Sequence, residues 1–480
     1  MPECNTVDRR TFLGMAAAGV LTSAMARGAD KSGEKPLNLV FVFGDQWRAQ
    51  ATGYMGDPNV KTPRIDALAQ ESVNCVNTVS GCPVCSPYRG TLMTGQYPLT
   101  HGVFMNDVYL RPQVKSFAEA LNGAGYHTGY IGKWHIDGQG RSSYIPPERR
   151  QGFQFWKVLE CTHNYNKSKY YGDKPEAKMW EGYDAFAQTD AAVDYIEARS
   201  QEAEPFALFL SWGPPHNPYQ TAPEKYNAMY DPQTLELRPN VPPEMEEGAR
   251  RDLAGYYAHC TALDDALGRL LDALEVHGVA ENTLVVFTSD HGDMLGSHGE
   301  QRKQRPYEES IRVPLLLRSS RLFGNGGRKL AYPVESPDLM PSILGLLGAE
   351  APAAVEGRDL SAYWRGEAQA PEDSALLACY QPFGEWKRSN GGKEYRGIRT
   401  ERYTYVRDLE GPWLLYDNEE DPYQLKNLVN DPPHAELQAM LESALDAKLD
   451  AVDDDFERGP VYLARWGYEV DETGTVPYKP

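Results

Sequence analysis

The sequence predicts an α/β protein: a large, mostly parallel mixed sheet sandwiched by helices, then a small C-terminal antiparallel sheet with a helix packed on it. Three observations carry this. Residues 36–44, 205–212 and 283–287 are nearly continuous apolar runs, as strands buried on both faces require. Apolar residues at helical spacing lie between them, most plainly over 252–276. Composition then shifts to Ala, Pro and Glu over 348–373, and short strand-like runs follow.

At 480 residues the chain can bury a large core in about two domains. The division reads as an α/β domain over 36–350, a C-terminal α+β subdomain over 374–452, and a tail over 453–480 that packs back on the body. The formal net charge of -20 excludes nucleic acid and anionic membranes as partners, since both would be repelled. Near the start, Arg9-Arg10-Thr11-Phe12-Leu13 precedes an apolar run over 14–25 that closes on Ala24-Met25-Ala26. This reads as a twin-arginine-type export signal over 1–26, with a periplasmic or extracellular destination. The run is too short to span a bilayer, and no other segment approaches ~18 uninterrupted apolar residues, so the mature form has no membrane span. Of seven cysteines Cys4 falls in the signal, leaving Cys75, Cys82, Cys85, Cys161, Cys260 and Cys379. A pairing of Cys75 with Cys82 stays open.

In chain order, the first strand delivers Asp45-Gln46 at its C-terminal end, the edge where open α/β sheets bind ligands. Thr62-Pro63 opens a helix to residue 72. The stretch Gly81-Cys82-Pro83-Val84-Cys85-Ser86-Pro87-Tyr88-Arg89 through Gly95 follows, with a helix expected over 86–94. Taken alone, Cys82 and Cys85 also fit a redox pair or a metal knuckle. A helix over 116–124 and a strand over 126–131 lead to Gly132-Lys133-Trp134-His135. The polar stretch 142–182 reads as substrate wall. A helix over 190–200 and the second apolar strand lead to Gly213-Pro214-Pro215-His216. The helix over 252–276 carries Asp264-Asp265, read as a solvated or cap-bonding pair, and His259 and His277 read as structural. The third apolar strand ends in Asp290-His291-Gly292-Asp293, with Lys303 downstream. A strand over 313–318 and a helix over 336–347 close the first domain. Strands over 375–381, 395–400, 402–406 and 413–416 and a helix over 436–449 form the second.

The spacing Cys85-x-Pro87-x-Arg89, extended by Leu92, Thr94 and Gly95, resembles the signature of the type I sulfatases of the alkaline phosphatase superfamily. The resemblance implies that a formylglycine-generating enzyme oxidises Cys85 to formylglycine, whose hydrate offers one hydroxyl to attack sulfur and another to expel sulfate. It also implies a divalent cation held by Asp45, Gln46, Asp290 and His291 together with the residue made from Cys85. Calcium is usual in the family, and the histidine nitrogen leaves manganese or magnesium open. Gln46 departs from the family's second aspartate and so loses one negative charge. By the same resemblance Arg89 fixes the hydrate, and Lys133 and Lys303 neutralise sulfate oxygens. His216 with Lys303 serves the leaving oxygen, and His135 takes the proton at elimination. The implied activity is hydrolysis of sulfate monoesters, and a small sulfated saccharide suits an exported acidic protein. The alternatives are a phosphonate monoester or phosphodiester hydrolase of the same superfamily, and an inactive sulfated-glycan-binding protein.

Overall fold

In the strand Asn38–Asp45 (β1), side chains alternate between two dry layers. Leu39, Phe41 and Phe43 enter one apolar cluster, while Val40 and Val42 enter another on the opposite face. A strand buried on both sides belongs in the middle of a helix-covered sheet. The computed structural model, which describes residues 35–112 and 115–477, places it there. The expected export signal, with Arg9, Arg10 and Cys4, lies outside the described residues.

The other strands of this eight-stranded sheet are Val73–Cys75 (β2), His127–Lys133 (β3), Phe155–Leu159 (β4), Phe206–Pro215 (β5), Thr283–Ser289 (β6), Leu315–Arg318 (β7) and Arg328–Leu330 (β8). Their order is β8-β2-β7-β6-β1-β5-β3-β4. All neighbours are parallel except β7, which runs antiparallel to β6 and to β2. The C-terminal ends of β1, β3, β5 and β6 therefore open on one edge.

Helices cover both faces. Pro63–Gln70 (α1), Asp184–Ser200 (α4) and Glu246–Val276 (α5) belong to the Val40 side, and Cys85–Thr94 (α2), Phe117–Gly123 (α3) and Leu339–Leu347 (α6) to the Phe41 side. Ser116 starts α3 with a full capping box to Glu119. Asp264 accepts hydrogen bonds from the backbone N–H of Arg64 and Ile65, so this buried carboxylate caps α1. Its expected choice between solvent and a cap resolves to the cap. His259 is buried against the Tyr183 hydroxyl at 2.6 Å and is structural.

Two boundaries move. The helices expected over 190–200 and 252–276 start earlier, at Asp184 and Glu246: α5 opens on a polar turn, while α4 opens on Asp184-Ala185-Phe186-Ala187 and buries Asp184 and Ala185. The polar stretch 142–182 contains β4, the edge strand beside β3, whose five residues are too few to show a period. Strands Ala375–Cys379 (β9), Tyr395–Arg399 (β10), Tyr403–Asp408 (β11) and Gly411–Asp417 (β12) form an antiparallel meander. Ala435–Ala451 (α7) packs on it through Leu441, Leu445 and Leu449. The final helix, Gly459–Trp466 (α8), buries Tyr462 against Phe104 and Tyr380. The six described cysteines are free thiols, so Cys75 and Cys82 are not paired. Among the described residues no helix is long and apolar enough to cross a membrane.

Candidate active site

Strand ends supply most of the chemistry. Asp45 is the last residue of β1 and Lys133 the last of β3, while Asp290 and His216 each follow directly on β6 and β5. Gln46 (φ 70°) and His135 (φ 60°) adopt left-handed backbone, uncommon for residues with a Cβ and concentrated at functional positions. Gly132 (φ 106°) is obligatory, since a Cβ there would lie 2.0 Å from the Ser211 carbonyl oxygen. Cys85 opens α2 and Arg89 sits one turn later, so both project from the helix start towards the sheet edge.

These residues meet in a closed cluster. One ligand atom each from Asp45, Cys85, Asp290 and His291 lies within 4.8 Å of the others, and all four residues are buried. Cys85 Sγ is 3.5 Å from Asp45 Oδ1, 3.3 Å from His291 Nε2, 3.2 Å from Lys303 Nζ and 3.7 Å from Lys133 Nζ. Arg89 spans the carboxylates, donating through Nη2 to Asp45 Oδ2 at 3.1 Å and to Asp290 Oδ2 at 3.2 Å. Its Nη1 donates to Ser211 Oγ at 2.8 Å and to the Lys133 carbonyl at 2.7 Å. Lys133 Nζ donates to Asp45 Oδ2 at 2.6 Å.

The donor set suits a divalent cation. Arg89 and Lys133 occupy one oxygen of each carboxylate, which turns Asp45 Oδ1 and Asp290 Oδ1 towards His291 Nε2 at 3.8 and 3.6 Å. His291 Nδ1 faces the Gly292 carbonyl at 2.9 Å and carries the N–H there, so the neutral ring keeps its lone pair on Nε2, while burial is outweighed by Asp290 and Cys85, which raise the ring above its ordinary value. Two carboxylate oxygens and an imidazole lone pair thus converge with no proton donated among the three. A shared cation resolves that repulsion, and mixed oxygen and nitrogen donors fit a divalent one.

Charges are tuned by the same contacts. Burial would raise the Asp45 carboxyl, but the Lys133, Arg89 and Lys303 cations hold it well below the usual carboxylate range. Burial and then the Asp45 charge push Asp290 up to about 6. Burial, with the Lys303 ammonium second, pushes His216 well below its ordinary value. His216 Nδ1 meets the Asn217 carbonyl at 2.8 Å, so Nε2 accepts from Lys303 Nζ at 2.9 Å. His135 differs: burial would lower it, but the Cys161 sulfur and Asp107 carboxylate outweigh burial and push it up to about 10. Asp107 Oδ1 lies 3.5 Å from His135 Nε2 and is itself clamped by Arg141.

Every candidate residue named from the sequence lies in this site or borders it. Other members of the site have no such forewarning. Asp107, Cys161 and Ser211 carry no local signal of their own, because loops and strand pairing bring them in. Cys161 is buried, and its thiol is drawn down to about 5 because His135 and Lys133 outweigh burial. Exposed His163 stacks on His216 at 4.7 Å between ring centroids. Asp293 accepts from Gln46 Nε2 at 2.6 Å, and here a signal exists, since it stands three residues after Asp290 in the same run.

A mostly parallel α/β sheet whose strand ends gather paired carboxylates, an imidazole and three side-chain cations around one buried nucleophile position defines a hydrolase of anionic esters. The family model described as Sulfatase matches residues 37–349, and that described as N-sulphoglucosamine sulphohydrolase, C-terminal, matches 296–451. An ulvan-active sulfatase of Formosa agariphila is 45% identical over 92% of this chain and 86% of its own length. A solved Bacteroides thetaiotaomicron structure described under metabolism of multiple glycosaminoglycans is 29% identical, with a TM-score of 0.80 over 88% of this chain and 98% of that one. The phosphonate monoester hydrolase of Agrobacterium radiobacter is 25% identical, with a TM-score of 0.70 over 92% of this chain and 100% of that one. The chain belongs to the sulfatase family, as a type I member of the alkaline phosphatase superfamily, and is a sulfuric ester hydrolase.

Proposed function

We propose that this enzyme removes sulfate from a small sulfated saccharide outside the cytoplasm, using a formylglycine made from Cys85 by a formylglycine-generating enzyme. The observation that carries the reading is the position of Cys85 Sγ, within 3.7 Å of two lysine ammoniums and beside Asp45 and His291. A thiol there serves no evident structural purpose. The saccharide rests on the likeness to a sulfatase described as ulvan-active, and the location on the Arg9-Arg10 segment.

Asp45, Gln46, Asp290 and His291 would hold the divalent cation, which supplies a Lewis acid that draws charge from a sulfate oxygen. Calcium is the first choice, with manganese and magnesium open. The hydrated formylglycine supplies one hydroxyl to attack sulfur and a second whose ionisation expels sulfate. The remaining steps fall to ordinary side chains. Arg89 keeps Asp45 and Asp290 apart and aligned. Lys133 and Lys303 face the place where the sulfate oxygens gather charge. Lys303, held by the His216 lone pair, donates the proton that the leaving alcohol needs. His135 accepts the proton at elimination, steered by Asp107.

The test is desulfation of a panel of defined sulfated mono- and oligosaccharides, with the mass of the tryptic peptide containing residue 85. Oxidation exchanges the CH₂–SH group for an aldehyde and lowers that mass. An active enzyme with an intact thiol at 85 in every molecule sinks the formylglycine reading. A second reading, phosphonate monoester or phosphodiester hydrolysis, is favoured by Gln46 beside His291 in the cation set and by the likeness to the Agrobacterium hydrolase. Relative kcat/KM on matched aryl sulfate, phosphodiester and phosphonate esters separates the two.

A further inference from the structure

Gln46 is the weak member of the proposed cation set, a neutral amide where the family carries a charge. Its surroundings compensate in a specific way. Gln46 Nε2 donates to Asp293 Oδ2 at 2.6 Å, and because a carboxylate only accepts, the amide cannot be flipped. Oε1 must then face the opposite side, where Lys303 Nζ lies 3.0 Å away in the same cluster as Cys85. Asp293 is fully buried and fixed in turn: Tyr219 donates its hydroxyl to Oδ2 at 2.5 Å, and the Leu295 N–H donates to Oδ1 at 3.2 Å. Arg302 donates to the Tyr219 hydroxyl and lies over its ring at 4.8 Å. The Gln46 backbone N–H is tied to Asp290 Oδ1 at 2.9 Å, so neither end of the residue is free.

We propose that Asp293 is a positioning residue for the cation site: it locks the Gln46 carbonyl towards the cation and polarises it, supplying through one hydrogen bond the negative charge absent from position 46. A buried amide whose N–H meets a carboxylate gains electron density on its oxygen, which makes a better ligand for a hard cation. Burial raises the Asp293 carboxyl above its ordinary value, and Arg302 with the hydrogen bonds from Tyr219 and Gln46 opposes that rise. The arrangement thus distributes across two residues what an aspartate at 46 would do alone.

This inference rests on the cation reading of the site, and the experiment keeps the two apart. Divalent-cation Kd is measured by chelator competition on metal-stripped full-length protein, for wild type, Asp293→Asn, Gln46→Asp and the double variant Gln46→Asp/Asp293→Asn. Asp293→Asn keeps the shape but removes the charge and one acceptor, so that the Leu295 N–H loses its partner when the amide oxygen stays towards Gln46 and Tyr219, and affinity falls roughly 10–100-fold. Gln46→Asp alone sets two carboxylates against each other and lowers the Tm of the metal-free protein. The double variant returns the charge to position 46 and recovers the Kd to within about threefold of wild type, a rescue that a merely structural Asp293 could not give. Equal Kd for wild type and Asp293→Asn, or a double variant no better than Asp293→Asn, overturns the role of Asp293 alone. A wild-type protein that binds no divalent cation overturns the cation reading and this inference with it.

Discussion

Lys303 Nζ lies 2.9 Å from His216 Nε2, and the imidazole receives the bond, because its Nδ1–H is committed to the Asn217 carbonyl. The two residues expected to share protonation of the leaving oxygen therefore have separate roles, with Lys303 carrying the proton and His216 aiming it. Lys303→Ala removes a general acid, and the loss should grow with the basicity of the leaving alcohol. Expected is a fall in kcat/KM of roughly 10²–10⁴-fold on alkyl or saccharide sulfates and a much smaller one on a nitrophenyl sulfate, which leaves unaided. Equal losses on both substrates would show that Lys303 acts only through its charge.

His135 and Asp107 set a pH dependence with a definite sign. With His135 pushed up to about 10 by Cys161 and Asp107 against its burial, the ring is protonated at neutral pH. The elimination step requires it neutral, so kcat limited by that step rises with pH towards the alkaline range. Asp107→Asn removes a charge that stabilises the imidazolium and lowers the His135 pKa by about one unit or more. The rising limb of the kcat–pH profile should move to lower pH by that amount. A limb that stays in place, or moves upward, contradicts the assignment of His135 as the base.

The legible parts of this molecule are those written locally. Asp45, Lys133, His216 and Asp290 each end or follow an apolar strand, and the strand marks the edge where the residue must work. Cys85 and Arg89 sit one helical turn apart, so their spacing already implies a shared face. The groups that hold these residues are not legible, since Asp107 and Ser211 arrive through loop closure and strand pairing. β4 escapes for a related reason: Phe155–Leu159 pairs at a sheet edge inside a polar stretch, and its burial is decided by the neighbour rather than by its own pattern. Gln46 taken alone reads as a loss of charge, because nothing beside it in the chain says that Asp293 stands behind its amide.

Removal of the cation gives a third expectation. Asp45 Oδ1, Asp290 Oδ1 and His291 Nε2 face one another in a fully buried cluster, so stripping the metal removes a ligand shared by all three and leaves Arg89, Lys133 and backbone N–H groups as their remaining partners. Dialysis against a chelator should abolish turnover and lower the Tm. A site saturated at about a hundred times its Kd contributes about 2.7 kcal/mol to stability. Readdition of calcium, manganese and magnesium in parallel then ranks the ions by recovery of both Tm and rate. Chelation that changes neither quantity counts against a functional cation.

The loop that carries Lys303 is held from the C-terminal part of the chain, which makes a last prediction possible at a distance from the chemistry. Gln304 (φ 75°) donates from Nε2 to the Phe383 carbonyl at 3.0 Å and accepts the Phe383 N–H at 3.3 Å, a two-way clasp on the segment beyond β9. Tyr395 on β10 donates its hydroxyl to the Gln304 carbonyl at 3.0 Å, and Arg305 lies over the Trp386 ring at 5.3 Å. Gln304→Ala gives up two buried hydrogen bonds and leaves the Phe383 backbone groups unsatisfied, which costs about 1–3 kcal/mol. Because Lys303 is the neighbouring residue, loosening this clasp also blurs the position of its ammonium, and a displacement of about 1 Å can lower the rate roughly a hundredfold. The expected phenotype is a lowered Tm, faster amide exchange over 380–390, and a kcat deficit that follows the leaving-group pattern of Lys303→Ala in weaker form. A Gln304→Ala enzyme with the stability loss but wild-type kcat on saccharide sulfates would show that the C-terminal sheet supports the fold without helping to place the acid.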